Sequence, residues 1–309
     1  MKRYFIITID TEGDNLWAVS DLKTPIGTEN AKFLYRFQEL CEKYSFIPTY
    51  LTNYEMINAD AMRELGREGL RKGTLEIGAH EHAWNSPPWF PLLKSPAKRG
   101  KPYLGEYPRF VIRKKLEYLT KLLEDTFQCS ITSHRGGRWC LNDVIIQELD
   151  RLGYTVDCTC TPGISWTGNP GWRMGSKGTD WSGYGNRPFV LAYPAAGRMK
   201  KSGIMEIPVT SVRKMESGTP KWFRPDGSNR MELLGIINYM CEQDERYIEF
   251  MLHSSELMPG GSPTFVRKGQ IEKLYDDLEA VFYALREKEF YGIGISGFAE
   301  KCRQEKWYE

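Results

Sequence analysis

The sequence predicts an α/β fold, a single closed or nearly closed (β/α) barrel of seven or eight parallel strands. Three observations predict it. Short apolar runs alternate with amphipathic helical patterns almost to the C-terminus. Neither a nucleotide-binding glycine fingerprint nor a domain linker interrupts them, so residues 1–309 read as one domain. All four histidines lie at or beside predicted strand C-ends, which a barrel gathers at one mouth.

In chain order, Tyr4–Ile9 reads as the first strand. Phe33, Leu34, Phe37, Leu40 and Cys41 recur at helical spacing within Asn30–Tyr44. Phe46–Leu51 is a strand, Ala61–Lys72 a helix capped by Asp60, and Leu75–Ala79 a short buried strand. Residues 84–106 hold five prolines and read as a loop insertion. Tyr107–Phe127 is a helix, Ser130–Ser133 a strand, and Asn142–Leu152 a helix with Asn142 as cap. Tyr154–Asp157 is a strand, followed by a second insertion, rich in Gly, Trp and Ser, near 161–187. Phe189–Tyr193 and Met205–Val209 are strands joined by a turn over Ala195–Gly203. Helix Arg230–Gln243, strand Tyr247–Leu252, helix Val266–Glu287, strand Tyr291–Ile295 and helix Gly297–Gln304 complete the order.

Composition narrows the class. A length of 309 residues suits one barrel of about 250 residues plus insertions. Hydrophobic residues at 41% and charged residues at 27% exclude disorder as the main state. Lys and Arg number 42 against 40 Asp and Glu, so no net field draws nucleic acid or an anionic membrane. No apolar run approaches the roughly 20 residues of a membrane span. The N-terminal apolar stretch ends at Asp10, too soon for a secretory signal. Seven cysteines without paired spacing predict reduced thiols and a cytoplasmic location, with Cys158 and Cys160 as packing residues.

The chemistry-bearing residues follow the strands. Asp10 and Glu12 follow the first strand, His80 and His82 the third, and His134 and Arg135 the fourth. Asp157, Glu206 and His253 mark later strand ends. A lone acid such as Asp10 or Asp157 is as readily a helix cap as a site residue. Asp10-x-Glu12 says more, because residues two apart on extended chain face the same side. The same alternation puts the imidazoles of His80-x-His82 together, a metal-ligand signal weighed against two loop histidines. His134 should point away from Arg135 and carry a structural role. Glu206 faces in or out by a parity the sequence leaves open. Trp84, Trp89, Trp139, Trp166, Trp172 and Trp181 lie in predicted loops, as sugar-stacking surfaces or as loop packing. One carboxylate with two neutral imidazoles forms a three-ligand zinc set with an open position. A free carboxylate nearby serves as proton acceptor and a distant histidine as proton donor. Together these form a metal-assisted hydrolase constellation.

With these residues placed, the chain resembles the polysaccharide deacetylases of NodB homology, in ordered motifs spread over nearly its whole length. Their first motif, Asp-x-Asp/Glu after a strand, corresponds to Thr8-Ile9-Asp10-Thr11-Glu12. Their second, His-Ser/Thr-x-x-His, begins at His80, but Trp84 stands at its last position and His82 lies within it. Their third, Arg-x-Pro-Tyr/Phe, becomes Arg135-Gly136-Gly137-Arg138-Trp139, with the proline lost. Asp157 or Asp180-Trp181 is the candidate match to the fourth. Met251-Leu252-His253 matches the fifth, Leu-x-His, and His253-Ser254-Ser255-Glu256 resembles a subgroup found with cell-surface polysaccharide synthesis.

The resemblance implies a distorted barrel of about seven parallel strands and metal-dependent N-deacetylation of an amino sugar or glycan precursor. It implies Asp10 as general base, His253 as general acid, and Arg135 as the residue that keeps Asp10 ionised. It implies Glu12, His80 and His82 as ligands of a divalent metal, zinc foremost. Trp139 would line the substrate pocket, with Trp84, Asp157 and Glu206 as further substrate-binding candidates. A backbone N–H of the Gly136–Trp139 turn would steady the oxyanion. The competing readings are a metal-independent glycosidase using Glu12 and Glu206, a cyclic-amide hydrolase, and an inactive carbohydrate-binding relative.

Overall fold

The computed structural model describes residues 2–16, 25–92, 101–213, 218 and 220–309. Part of the first predicted insertion, residues 93–100, lies outside the described residues. The chain runs β1 (Arg3–Thr11), α1 (Leu34–Lys43), β2 (Pro48–Thr52), α2 (Asp60–Lys72), β3 (Glu76–Glu81), α3 (Arg109–Phe127) and β4 (Ser133–Gly136). It continues α4 (Asp143–Leu152), β5 (Val156–Asp157), β6 (Phe189–Ala195), β7 (Arg198–Glu206), β8 (Ser211–Arg213) and β9 (Pro220–Trp222). Last come α5 (Arg230–Glu242), β10 (Tyr247–His253), α6 (Lys268–Glu287), β11 (Phe290–Gly292) and α7 (Ile295–Glu305). Among the described residues no helix is long and apolar enough to cross a membrane.

Helical crossovers between successive strands force parallel pairing. The sheet order is β10-β1-β2-β3-β4-β5-β7-β6. Every link from β10 to β7 is parallel. β11 runs parallel beside the start of β1. The sheet curls until its ends approach. The Thr210 N–H donates to the Glu249 carbonyl at 3.4 Å, and the Glu249 N–H donates to Thr210 Oγ1 at 2.9 Å. This is a distorted, nearly closed (β/α) barrel.

Local chemistry explains most boundaries. Asn142 caps α4 as expected, accepting from the Ile145 N–H at 2.9 Å. Asp60 is not a cap: Ala59 takes that position, and Asp60 opens α2, where a carboxylate favours the positive end of the helix dipole. The fourth strand lies three residues later than expected, so His134 and Arg135 are within it rather than past it. The predicted turn over Ala195–Gly203 shrinks to Ala196 and Gly197. Their φ values of 50° and 78° suit a two-residue hairpin, which makes β6 antiparallel to β7.

Side-chain alternation divides the core into two layers. The outer layer lies between sheet and helices. There Phe5, Phe46 and Phe282 pack edge to face, with centroids 4.8–5.6 Å apart. The inner layer holds Tyr4, Ile6, Leu51, Val156, Cys158, Met205, Ile207 and Tyr247. Ile295, Phe298, Ala299 and Cys302 of α7 complete it. Cys158 and Cys160 are buried free thiols.

Candidate active site

β1 carries Thr8 and Asp10 on the inner face and releases Glu12 just past its end. In the parallel register Asp10 stands beside His253 of β10, and His80 of β3 beside Arg135 of β4. All of these side chains are buried. The inner face therefore gathers four strands' worth of chemistry at one mouth.

Glu12, His80 and His82 place one donor atom each within 4.8 Å of one another. Glu12 Oε2 lies 3.2 Å from His82 Nε2 and 3.6 Å from His80 Nε2. His80 Nδ1 is 3.0 Å from the Arg135 carbonyl, an acceptor only. Nδ1 must therefore carry a proton, so that in the neutral ring Nε2 is the nitrogen whose lone pair is free on the Glu12 side. Burial, the leading effect, drives His82 down to about 4, against its hydrogen bond to Glu12. His82 is thus neutral near pH 7, as a ligand must be. Burial works to raise Glu12, yet His253, His80 and His82 together hold it well below the usual carboxylate range. Burial works to lower His80, yet Asp10 and Glu12 raise its pKa, so it gives up a proton on binding; two imidazole nitrogens and one ionised oxygen on a cavity wall then fit a three-ligand divalent site. Trp84 stacks on His82 with centroids 4.4 Å apart, so it braces one ligand from the position where the resembling motif carries another. His82 Nδ1 is buried without a hydrogen-bond partner among the described residues.

Asp10 has a different partner. Arg135 Nη1 donates to its Oδ1 at 2.7 Å. Burial opposes ionisation of Asp10, but Arg135 foremost, then His80 and His253, hold its pKa below the ordinary value. Arg135 is itself wholly buried. It also donates to the Cys158 carbonyl at 2.8 Å, Thr8 Oγ1 at 2.8 Å and Glu249 Oε1 at 2.9 Å. Bonds in three directions leave it one orientation. Glu249 went unnoticed in the sequence, although it lies four residues before His253 and so shares its face.

His253 stands across the mouth, with Nε2 3.7 Å from Asp10 Oδ2 and 4.0 Å from Glu12 Oε1. Its Nδ1 is 3.2 Å from both Glu256 Oε2 and Arg224 Nη2. Arg224 also donates to Glu256 Oε1 at 2.7 Å. Burial alone would raise Glu256, but Arg224 and then His253 bring it down to about 2. Glu256 also accepts the His253 N–H, closing the short helical turn over Ser254–Leu257. The three-residue spacing of a capping box was the available signal for it.

The cavity above these groups has a volume of about 400 Å³. Trp139, Trp166 and Trp222 form one wall. Trp139 and Trp166 are parallel with centroids 6.2 Å apart, and Trp222 sits edge-on 5.3 Å from Trp139. Arg138 and Trp139 have φ of 57° and 58°, a left-handed pair that costs about 1–3 kcal/mol per residue. It brings Trp139 within 5.2 Å of the Arg135 guanidinium. Trp222 and Arg224 were not expected from the sequence, since they lie at and just past the end of β9, far along the chain. Of the other loop tryptophans, Trp181 is buried and donates to the Trp139 carbonyl, while Trp89 is 65% exposed.

Two residues expected to bind substrate do not line this cavity. Asp157 and Glu206 lie in register with His134, and all three are buried on the helix-covered face of the sheet. His134 Nδ1 is 2.6 Å from Asp157 Oδ2, and its ring packs 5.9 Å from Tyr154 under α3. The alternation that sends Arg135 inward sends His134 outward. Within the Gly136–Trp139 turn, the Gly136 N–H is already taken by Thr159 Oγ1 at 2.8 Å and is not free for an oxyanion.

No family model and no curated protein matches this chain. Solved structures do. A polysaccharide deacetylase from Mycobacterium smegmatis superposes with a TM-score of 0.60 at 15% identity, over 99% of this chain and 92% of that one. One from Pseudomonas aeruginosa gives 0.59 at 12% identity, over 100% and 92%. A 4-α-glucanotransferase from Thermococcus litoralis gives 0.59 at 13%, over 97% of this chain but 41% of that one. At these identities the likeness shows the fold: the chain shares the curled barrel of polysaccharide deacetylases along nearly its whole length.

Proposed function

We propose that this chain hydrolyses an N-acyl group, acetyl foremost, from an amino sugar or glycan precursor, with a divalent metal held by Glu12, His80 and His82. One observation carries the reading: the three-ligand cluster lies between an arginine-held carboxylate and a buttressed histidine, at the floor of a tryptophan-walled cavity. The solved polysaccharide deacetylases with the same fold support it.

When bound, such an ion, zinc foremost, supplies Lewis acidity toward water and an acyl oxygen. The chain's own residues do the rest. Asp10, kept ionised by Arg135, accepts a proton from the attacking water as its oxygen bonds to the acyl carbon. His253 delivers a proton to the amine nitrogen as the carbon–nitrogen bond breaks. Glu256 and Arg224 fix the imidazole so that Nε2 faces the cavity. The tryptophan wall stacks against a sugar ring and keeps bulk water out.

Two carboxylates acting without metal are disfavoured, because Glu206 lies beyond the sheet from Glu12. The test is acetate release from N-acetylated amino sugars by protein purified without an affinity-metal step, paired with elemental analysis. About one divalent ion per chain is expected, with activity lost to chelator and restored by metal. Acetate release that ignores chelation, or its absence after loading with zinc, cobalt, nickel and manganese, overturns the reading.

A further inference from the structure

The cavity holds positive charge that the proposed chemistry does not use. Three arginine or lysine side chains line it among the described residues: Lys101, Arg138 and Arg224. Arg224 is neutralised by Glu256 at 2.7 Å. Lys101 and Arg138 reach no carboxylate within 4 Å among the described residues. Lys101 Nζ donates to the Leu16 carbonyl at 2.9 Å. Arg138 donates from Nη1 to the Lys101 carbonyl and from Nη2 to the Pro170 carbonyl at 3.2 Å. One of three ammonium donors and two of five guanidinium donors are thereby used, so donors remain on both.

The carboxylate nearest in role is engaged elsewhere. Glu106 accepts the backbone N–H groups of Tyr103, Trp172 and Arg173 at 2.6, 3.1 and 2.7 Å. Aromatic faces hold the two cations in place instead. The Arg138 guanidinium lies 3.9 Å from the Tyr103 ring centroid, and Lys101 Nζ lies 5.3 Å from that of Trp84. Burial, the leading effect, lowers the pKa of both groups; Glu12 and Glu55 offset it only in part at Lys101, where Arg138 adds to it, and Tyr103 and Glu106 offset it only in part at Arg138, so each would gain from a closer counter-charge. Trp84 carries Lys101 while stacking on His82. This pair, without an ion-pair partner among the described residues, therefore adjoins the metal-ligand cluster on its His82 side. His253 approaches from the Glu12 Oε1 side.

We infer that the substrate is an acylated amino sugar bearing an anionic substituent, a phosphoryl or carboxylate group, which Lys101 and Arg138 bind beside Tyr103 and Trp84. This rests on the amino-sugar reading of the cavity. The anion fills remaining hydrogen-bond donors on both cations and neutralises charge that no described carboxylate meets within 4 Å. It sits on the ligand flank, away from the histidine that protonates the amine.

The experiment measures equilibrium binding by tryptophan fluorescence on the full chain carrying its metal and Asp10→Asn to halt turnover. The probes are N-acetylglucosamine, its 1-phosphate, and N-acetylmuramic acid as the carboxylate form. At least one charged sugar should bind about tenfold or more tighter than the neutral one. The preferred probe tells a phosphoryl from a carboxylate source. Lys101→Gln and Arg138→Gln should each shrink the preference ratio, and Lys101→Arg should retain it. Added KCl should narrow the ratio in the parent chain, which tests the inference even if a variant fails to fold.

Equal binding of neutral and charged sugars overturns the inference, as does a preference that survives both substitutions. Acetate release without any anion preference sinks this inference alone. An anion preference that depends on both cations, with no acetate release from any metal-loaded form, sinks the deacylase reading and leaves the anion site standing. No binding by any probe overturns both.

Discussion

Two buried clusters of histidine and carboxylate lie on opposite faces of the same strands, and only one opens to a cavity. On the inner face Asp10, Glu12, His80, His82 and His253 share the mouth of the barrel. On the outer face His134 bonds Asp157, and Glu206 lies beside them in register. Glu81 joins this layer through Ser86, whose carbonyl accepts from the buried Lys115 of α3. Glu81, His134 and Glu206 each keep one side-chain atom without a partner among the described residues. Residue types are alike on both faces, and both clusters are desolvated. What differs is the covering. Helices seal the outer layer, so its polar atoms can only satisfy one another. The inner layer leaves His80 and His82 nitrogens and Glu12 oxygens facing space that a ligand can enter.

The two faces should therefore fail differently. His80→Ala with His82→Ala should abolish metal retention and acetate release, read by elemental analysis, while His134→Ala should leave the metal content unchanged. Equal metal loss from both variants would erase the distinction between the faces. Next in size, Asp10→Asn or His253→Ala should lower kcat by about 10²–10⁴ with an unchanged circular dichroism spectrum. Unchanged turnover in both would remove them from the reaction.

Asp157→Ala leaves His134 buried without its partner. It should cost about 3–5 kcal/mol in denaturant unfolding while metal content holds. A loss below 1 kcal/mol would mean that the outer pair holds little.

The smallest expected effect is a pH slope. Burial first, then the neighbouring Asp157, raises Glu206 well above its ordinary value, while His134 helps hold Asp157 below its own against burial. A raised carboxyl keeps its proton in the folded state where the unfolded chain has lost it. Its contribution is complete below the ordinary value of 4.5 and declines as pH rises toward the folded pKa. Thermal midpoints of the metal-free chain should fall more steeply above pH 4.5 than those of Glu206→Gln. Parallel curves would show that Glu206 does not keep its proton in the folded chain.

Much of this was legible locally. Strand and helix order, the Asn142 cap and the crowding of histidines at strand ends all follow from apolar periodicity and short-range hydrogen bonding. The opposition of His134 and Arg135 is likewise local, because adjacent strand residues must face opposite sides. The boundary of β4 was not legible, since its pairing with β3 and β5 sets it. The turn expected over Ala195–Gly203 could not be narrowed to Ala196 and Gly197, because alanine rarely takes a positive φ. Glu256 and Glu249 carried only spacing signals, and those gain meaning once His253 is known to face inward.

The sequence by itself determined the kinds of groups available and their periodic placement, because alternation and capping are properties of neighbouring residues. It thereby put Asp10 with Glu12, and His80 with His82, on shared faces. Only the tertiary structure decided which face is the mouth and who joins it. Asp157 and Glu206 fell outside because inter-strand hydrogen bonds, not local pattern, set their register with His134. Trp222 and Arg224 arrived because curling of the sheet brings the chain after β8 back beside Trp139 and His253. A side chain's phase along its strand is local, but the direction of the barrel's interior is a property of the closed sheet.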